Sequence, residues 1–248
     1  MTSRFEVIFP AYNEEKRLLG HRTLEAFYSH LTRLYGLEFS MTVVLNGCTD
    51  KSFEIVERLA NKHQRLKVLV ISEKGKGAAF IHGLRQVTAP LFAFIDIDGA
   101  IAPEQLDRLL PYTRSADIVF GSRKLPSSFI RKQPPLIRRL NSSLAGFCVR
   151  SILATRVRDP FCGIKIFKTA SAKNILPSLK CKSSMIDSNI LYAARQAGLK
   201  VVEAPVEWGY VEGSKVKLRS DLNCLIELFK IKHQYCGNTL GFSREQCT

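Results

Sequence analysis

The sequence predicts an α/β fold in which a mostly parallel, doubly wound sheet forms a single domain. Short apolar runs, typical of buried strands, alternate with segments of helical length through the first half of the chain. Turn residues separate the two kinds of segment. The chain has 248 residues, of which 46% are hydrophobic and 24% charged, so it can bury an extended core.

The predicted elements follow one another in a regular order. Strands are expected at residues 5–9, 41–45, 66–71, 91–96 and 118–120, and helices at residues 14–34, 50–62, 75–86 and 104–110. Pro10 closes the first strand, and Asn46 with Gly47 makes a turn after the second. Acidic residues in the first turn of the first helix suit the helix dipole. Asp50 caps the second helix, and Pro103 precedes the fourth.

Three loops of this predicted sheet are expected to form one site. In doubly wound sheets the crossovers are right-handed, and ligands bind beyond the carboxyl ends of the strands. Residues 10–14, 46–50 and 96–98 each follow a predicted strand, so all three loops lie at that edge.

Two aspartates end the fourth predicted strand. Asp96 and Asp98 share one face of an extended chain, and two like charges held close together resist joint ionisation. Mg²⁺ or Mn²⁺ would relieve this repulsion while leaving coordination positions for phosphate oxygens. An Asp-x-Asp pair also occurs in solvated turns, so the pair predicts a metal-bound diphosphate only together with the neighbouring loops.

The net charge of +15 requires an anionic partner, which can be nucleic acid, an anionic membrane or a phosphorylated substrate. Residues 118–158 contain nine Lys or Arg and no Asp or Glu, with large apolar residues between them. Such a basic amphipathic segment is typical of binding to an anionic membrane surface, although a solvated helix face gives the same pattern. No run of aromatic residues accompanies the arginines, so no nucleic acid is expected.

The seven cysteines lack the C-x-x-C spacing of a zinc site, and free thiols indicate a reducing compartment. No apolar run reaches 18 residues, and no signal peptide precedes the first strand. We therefore expect a cytoplasmic protein that is peripheral on the cytosolic face of a membrane.

Five stretches of the chain carry a resemblance. They are Pro-Ala-Tyr-Asn-Glu-Glu at residues 10–15, Asn-Gly-Cys-Thr-Asp at 46–50, Gly-Lys-Gly-Ala-Ala at 75–79, Asp-Ile-Asp-Gly-Ala at 96–100 and Gly-Ser-Arg at 121–123. Their order and their positions at strand ends resemble family 2 glycosyltransferases of the A-type fold.

The second half narrows the resemblance to dolichyl-phosphate glucose synthases, which are related to dolichyl-phosphate mannose synthases. Residues 158–167 look like the D-x-x-C-G-F-K-L-F stretch of those enzymes, and residues 203–208 and 213–216 are similar to their late segment. The mannose synthases usually carry Gln two residues after the second Asp, where this chain has Ala100. The resemblance covers roughly residues 4–235.

The resemblance implies roles for individual residues. Those expected at the nucleotide sugar are Pro10, Ala11, Tyr12, Glu14, Asn46, Lys76, Asp96, Ser214 and Lys215. Those expected at the metal or the reacting groups are Asp96, Asp98, Arg123, Arg138 and Ser142, with Arg139 as a substitute one position on. Asp187 falls where relatives carry an acid near the active site, and Asp159 is expected to order the same region or to pair with a cation. The family has acids where this chain has Leu45 and Asn46, so the choice of nucleotide stays open.

The implied reaction is inverting, metal-dependent transfer of a hexose from a nucleotide sugar to a polyprenyl or dolichyl phosphate. Glucose from UDP-glucose is the first expectation, and mannose from GDP-mannose is the alternative. A lipid phosphate is already anionic, so cationic positioning replaces a general base. A family 2 enzyme acting on a glycan hydroxyl would instead need a catalytic carboxylate. A non-enzymatic basic binder would need neither a catalytic carboxylate nor cations positioned for transfer.

The single domain is expected to span residues 1–248. Residues 1–122 form its nucleotide-sugar and metal half, residues 123–235 its acceptor and membrane-facing half, and residues 236–248 a tail.

Overall fold

The computed structural model describes residues 3–211 and 221–236. Its strands are β1 (Phe5–Ala11), β2 (Phe39–Asn46), β3 (Leu66–Ile71), β4 (Leu91–Ile95), β5 (Ile118–Ser122), β6 (Phe129–Lys132), β7 (Ile164–Lys168), β8 (Val201–Pro205) and β9 (Glu207–Gly209). Its α-helices are α1 (Glu15–His21), α2 (Thr23–Tyr35), α3 (Ser52–Lys62), α4 (Lys76–Gln86), α5 (Gln105–Leu109), α6 (Leu136–Leu153), α7 (Thr169–Ile175), α8 (Ile186–Gln196) and α9 (Asp221–Cys236).

In the described part of the chain, seven strands form one mixed sheet in the order β3-β2-β1-β4-β7-β5-β8. β7 runs antiparallel to both of its neighbours, and the other pairs are parallel. The sheet is therefore mostly parallel, as predicted. β1 lies between β2 and β4, so the chain leaves β1 to opposite sides and creates a crevice at their carboxyl ends. β6 and β9 form a separate parallel pair.

Alternation of side chains along the strands divides the core between the two faces of the sheet. One cluster contains Ile8 and packs against α4, α7 and α8, and it includes a group of contacting aromatic rings: Phe80, Phe92, Phe94 and Phe167. The other cluster contains the adjacent Phe9 and packs against α2, α3 and α5. Burial of both faces explains why the strands read as continuous apolar runs.

Two local predictions were wrong. The helix expected at residues 14–34 is broken into α1 and α2 by Arg22, whose φ of 44° is left-handed. Pro10 does not end β1, which continues to Ala11 in register with β2. Pro10 lies beyond Phe5–Ile8, the part of β1 that also pairs with β4, and a strand with one free edge can lack an N–H donor.

The basic segment predicted at residues 118–158 contains β5, β6 and α6. Five apolar side chains of α6 are each about 60% exposed: Leu136, Ile137, Leu140, Leu144 and Phe147. Its opposite side buries Gly146, Val149 and Leu153 against the core. Among the described residues, no helix is long and apolar enough to cross a membrane.

Candidate active site

The loops after β1 and β2 form one hydrogen-bonded unit. The backbone N–H of Thr49 donates to Oδ1 of Asn13 at 2.7 Å, and Nδ2 of Asn13 donates to Oγ1 of Thr49 at 3.2 Å. The Cys48 thiol donates to the carbonyl of Ala11 at 3.3 Å. Asp50 accepts from the backbone N–H of Ser52 at 3.0 Å. The N-cap of α3 is Lys51 rather than the predicted Asp50, whose carboxylate still satisfies the first N–H of that helix. The two loops share the edge expected from the sequence.

The predicted base-binding residues lie beside this unit. Asn46 is 2% exposed at the end of β2, and its buried Oδ1 has no hydrogen-bond partner among the described residues. A buried acceptor without a donor costs free energy, so a ligand N–H at this position would be favourable. Tyr12 is half-buried, with Nζ of Lys74 5.8 Å from its ring centre. Glu14 accepts two hydrogen bonds from Nη1 of Arg17, at 3.0 and 3.1 Å.

The two aspartates after β4 differ in their surroundings. Burial would raise the pKa of Asp96, but Lys76 and Lys165 outweigh it and hold that pKa below the ordinary value. Burial and the negative charge of Asp96 raise the pKa of Asp98, although its carboxylate accepts from the N–H of Ala100 at 3.0 Å. Arg17 and Lys76 only partly offset this effect, so a divalent cation would further stabilise the Asp98 carboxylate.

Asp96 belongs to a row of alternating acidic and basic side chains that continues through Lys76 and Asp187 to Lys165. Nζ of Lys76 lies 2.8 Å from Oδ1 of Asp96 and 3.4 Å from Oδ2 of Asp187. Nζ of the fully buried Lys165 lies 2.9 Å from Oδ1 of Asp187 and donates to the carbonyl of Cys162 at 2.7 Å. The aspartates raise the pKa of Lys76 despite its burial, so its ammonium stays charged beside Asp96.

The N-terminus of α4 is closed by residues 181–183. The N–H groups of Gly77 and Ala78 both donate to the carbonyl of Lys182, at 3.0 and 3.2 Å. A Cβ on Gly77 would lie 2.1 Å from the carbonyl oxygen of Cys181. An anion at this place would meet the ammonium of Lys76 rather than free helix amides.

Arg123 is held in a buried pair with Asp159. Nε and Nη2 of Arg123 donate to the two oxygens of Asp159 at 2.7 and 2.8 Å. Burial would raise the pKa of Asp159, but Arg123 holds it below the ordinary value. Asp159 is in turn fixed because its backbone N–H donates to Glu203 at 2.9 Å. The predicted pairing role of Asp159 is confirmed, and Arg123 keeps its remaining N–H donors for another partner.

Two aromatic residues link Arg123 to Arg138. The Arg123 guanidinium lies 5.1 Å from the ring centre of Trp208, and the Arg138 guanidinium lies 5.1 Å from that of Tyr210. The two rings are 6.4 Å apart, and Nη1 of Arg138 is 3.4 Å from the Tyr210 hydroxyl. Side chains two residues apart on an extended chain share a face, which places both arginines on one surface.

The remaining predicted residues are less closely tied to this group. The Ser142 carbonyl accepts from Nζ of Lys124 at 3.1 Å, and Arg139 is exposed one position from the half-buried Arg138. Pro10 is half-buried and Ala11 fully buried in β1. Ser214 and Lys215 lie outside the described residues.

Comparison with known proteins identifies the family. A family model described as glycosyl transferase family 2 matches residues 6–176. This chain belongs to glycosyl transferase family 2. It is 32% identical over 235 residues to dolichyl-phosphate beta-glucosyltransferase ALG5A of Trichomonas vaginalis, covering 91% of this chain and 72% of that protein. It is 28% identical over 227 residues to the human dolichyl-phosphate beta-glucosyltransferase, covering 87% of this chain and 70% of that protein.

Solved structures show the same fold. Glucosyl-3-phosphoglycerate synthase from Mycobacterium tuberculosis, solved with Mn²⁺, UDP-glucose and phosphoglyceric acid, aligns with a TM-score of 0.66 at 18% identity. The alignment covers 95% of this chain and 80% of that one. The predicted A-type glycosyltransferase fold is thereby confirmed, and the chain is a glycosyltransferase.

Sequence reasoning did not single out three residues of the candidate site, Lys165, Trp208 and Tyr210. Lys165 lies within the resembling stretch at residues 158–167, and Trp208 within the late segment at residues 203–208. Trp208 is the single tryptophan of the chain, and Tyr210 follows it two positions later. This spacing could have predicted two aromatic rings on the same face of an extended segment. Lys165 interrupts the apolar run of β7, and a lysine inside a strand that reads as buried indicates a buried carboxylate partner.

Proposed function

We propose that this family 2 glycosyltransferase transfers glucose from UDP-glucose to the phosphate of a polyprenyl lipid of the dolichyl class, with inversion at the sugar. The observation that carries the proposal is the pair of arginines, Arg123 and Arg138, on the platform of Trp208 and Tyr210. Planar guanidinium groups bind phosphate bidentately and keep their charge at every physiological pH. The dolichyl-phosphate glucosyltransferases among the relatives support the same acceptor and sugar.

The donor side supports a uracil base. The unpaired Oδ1 of Asn46 matches a ring N–H, which uracil offers. Guanine offers one as well, so GDP-mannose remains the alternative donor on chemistry alone. The relatives favour glucose, and the M. tuberculosis enzyme of the same fold was solved with UDP-glucose.

The residues present fit a divalent metal of the Mg²⁺ or Mn²⁺ type. In the described part of the chain, no group of three or more His, Cys, Asp or Glu is arranged to hold a metal. Mg²⁺ is commonly held by one or two carboxylates together with substrate phosphates and water, which is what Asp98 and Asp96 provide. When bound, the ion would neutralise the charge of the diphosphate leaving group. Asp98 would be the main protein ligand, because Asp96 already pairs with Lys76.

The protein groups act mainly by position and charge. Lys76 is held by two aspartates beside the carboxylate pair, where its ammonium orients a diphosphate oxygen. Arg123 and Arg138 hold the acceptor phosphate for in-line attack on the anomeric carbon. An anionic phosphate oxygen needs no proton removed before it attacks.

A hydroxyl acceptor is the second candidate, and the pairing of the buried acids argues against it. A general base must be able to take a proton from the acceptor. Asp159 is paired with Arg123 and has a lowered pKa, and Asp187 lies between Lys76 and Lys165. Neither carboxylate is arranged as a proton acceptor, whereas both hold cations in place.

Transfer of radiolabelled sugar tests the proposal. The purified chain is incubated with a short polyprenyl phosphate, labelled UDP-glucose or GDP-mannose, and either Mn²⁺ or EDTA. We expect Mn²⁺-dependent label in the lipid fraction from UDP-glucose. Asp98→Asn is expected to lower the rate at least about 100-fold, because the metal site loses its main charge. Glu54→Gln, an exposed change on α3, is the matched control.

Label from GDP-mannose alone would replace the donor assignment. Label that appears only on an added glycan would show a hydroxyl acceptor and overturn the lipid-phosphate proposal.

We further propose that the basic segment from residue 129 to 155 lies on an anionic membrane and brings the lipid phosphate to the site. The apolar side chains of α6 that are exposed to solvent suit the acyl boundary, and the excess of arginine and lysine suits anionic headgroups. Arg138 lies on the same helix, so membrane contact would place it next to the acceptor.

Flotation with anionic liposomes tests this part. Leu140→Ser/Leu144→Ser removes two exposed apolar side chains, and we expect partition to fall about tenfold or more. Leu19→Ser/Leu34→Ser, which changes two exposed leucines of α1 and α2, is the control and should float like the wild type. Equal loss in both double variants, or no flotation of the wild type, would contradict the proposed orientation.

A further inference from the structure

A basic cavity lies beside α6, outside the group of residues described above. It has a volume of about 300 Å³ and is lined by Lys124, Ser143, Arg150, Arg156 and Arg158. Four of these five lining residues of the described chain are cationic, and the fifth offers a hydroxyl. None of the residues proposed to bind the nucleotide or the metal lines this cavity, and neither Arg123 nor Arg138 lines it.

Contacts with the backbone hold two of these cations in place. Nζ of Lys124 donates to the carbonyl of Ser142, and Nη1 of Arg150 donates to the carbonyl of Arg158 at 3.2 Å. Burial lowers the pKa of Lys124; the positive charges of Arg123 and Arg150 also lower it, and Asp159 and Glu203 oppose them. The clustered cations therefore repel one another, and an anion in the cavity would relieve that repulsion.

The nearby carboxylates have other partners. Glu203 accepts from the backbone N–H groups of Arg158 and Asp159, at 2.8 and 2.9 Å. Asp159 binds the guanidinium of Arg123. The side chains of Arg156 and Arg158 are exposed at the rim of the cavity, so an incoming anion can reach them.

The cavity borders the exposed apolar side of α6. Ser143 and Arg150 are seven residues apart, which places them on one line along the helix. Leu136 and Leu140 precede Ser143 by seven and three residues, and Phe147 follows it by four. These spacings place all three next to that line on the helix. An amphiphile with its anionic head in the cavity would therefore lay its chains against these side chains.

We propose that the cavity binds the phosphate headgroup of an anionic membrane lipid, as a docking site separate from the acceptor phosphate site. A phosphomonoester fits best, because it carries more negative charge and more free acceptor oxygens than a phosphodiester. The inference rests on the membrane docking proposed above and adds a specific headgroup to it.

Flotation with vesicles of two compositions tests the site. The whole chain is mixed, in EDTA and without donor, with phosphatidylcholine vesicles containing either phosphatidic acid or phosphatidylserine, adjusted to equal surface charge. We expect wild-type binding to be at least about fivefold stronger with phosphatidic acid. Arg156→Gln/Arg158→Gln should bring this ratio close to one. Arg58→Gln/Lys62→Gln, which removes the same charge from exposed positions of α3, should keep the ratio.

Each of the following outcomes would overturn one part of the proposed headgroup site. A wild-type ratio near one, or equal loss of the ratio in both variants, would show general electrostatic attraction and no headgroup site. If inorganic phosphate raises the melting temperature of the wild type but not of Arg156→Gln/Arg158→Gln, while the vesicle ratio is equal in both, the cavity takes soluble phosphate instead.

Transfer activity separates the cavity from the acceptor site. In detergent with a short polyprenyl phosphate, Arg156→Gln/Arg158→Gln should retain wild-type transfer, and a tenfold loss would assign the cavity to the acceptor. If the wild type floats with neither anionic vesicle, membrane docking itself fails, independently of the cavity.

Discussion

Arg123 and Arg138 are held by different kinds of contact. Arg123 makes two charge-assisted hydrogen bonds to a buried carboxylate in addition to its stacking on Trp208. Arg138 depends mainly on the ring of Tyr210, since the hydroxyl lies at a long 3.4 Å. Substitution of Tyr210 should therefore weaken acceptor binding, whereas substitution of Asp159 should destabilise the fold.

Tyr210→Ala should raise the KM for the lipid acceptor while leaving the KM for the donor unchanged. Loss of a cation–π contact of about 0.5–2 kcal/mol corresponds to about a 2- to 30-fold change. Tyr210→Phe keeps the ring and removes only the hydroxyl, which lies at a long 3.4 Å from Arg138, so it should behave nearly as the wild type. Steady-state kinetics with varied acceptor checks this, and an equal effect of both variants would refute a role for the ring.

Asp159→Asn should reduce the free energy of unfolding at neutral pH and make that free energy fall less steeply as the pH is lowered. Loss of the carboxylate leaves Arg123 unpaired, which costs up to about 3–5 kcal/mol for a buried pair and less here because Arg123 is 20% exposed. The folded pKa of Asp159 is lowered, so its contribution is present above the unfolded value of about 3.9 and is lost as pH falls through the folded pKa.

Urea unfolding at a series of pH values measures both effects. The wild type should lose more free energy of unfolding below about pH 4 than Asp159→Asn does. Glu57→Gln, an exposed change, should follow the wild type. Parallel pH curves for the wild type and Asp159→Asn would show that the pair does not contribute as described.

At the scale of elements, the start of α4 depends on a close approach to residues 181–183. Gly77 has a carbonyl where a Cβ would be, and Gly75 has a φ of 114° that other residues rarely adopt. This contact holds Lys76, the first residue of α4, beside Asp187, which lies at the start of α8. The sequence marked this turn as glycine-rich but did not show which segment approached it.

Gly77→Ala should therefore lower the free energy of unfolding by about 1–3 kcal/mol and reduce transfer, because the displaced segment carries Lys76 away from Asp96. Gly20→Ala is the matched control: a Cβ at Gly20 meets nothing within 4 Å, and this helical position should gain up to about 1 kcal/mol. Thermal and urea unfolding give the comparison. A Gly77→Ala protein as stable as Gly20→Ala would contradict the close approach.

Element boundaries were predicted well where local pattern decides them. The strand at residues 66–71 matches β3, because its ends are set by turn residues nearby. The break at Arg22 was missed, since the left-handed residue there is an arginine, and Gly20, two positions earlier, still lies within α1. The strands β7 and β8 were not predicted, and their pairing joins segments far apart in sequence.

At the scale of the whole molecule, both halves of the chain contribute to one sheet. β7, from the second half, lies antiparallel between β4 and β5 of the first half. This insertion carries Lys165 beneath Asp96 and connects the predicted metal half with the acceptor half. Ligand binding at that junction should therefore stabilise the fold as a unit.

UDP with Mn²⁺ should raise the melting temperature, whereas UDP with EDTA should have little effect. At a ligand concentration of 100 Kd the stabilisation is about 2.7 kcal/mol, which is about 5–10 °C for a chain of this size. Asp98→Asn should lose the Mn²⁺-dependent part of the shift, and Glu54→Gln should keep it. An equal shift with EDTA would show that the nucleotide binds without the metal.

The sequence by itself determined the alternation of strands and helices and the edge at which the loops meet, and its resemblance to a known family supplied the residues of the proposed metal and arginine sites. These follow from local periodicity and motifs, which neighbouring residues dictate. Only the tertiary structure decided which cations pair with which carboxylates: Lys76 with Asp96, and Arg123 with Asp159. It alone revealed the platform of Trp208 and Tyr210 and the basic cavity beside α6, because such contacts join residues from distant segments whose distances no local pattern specifies.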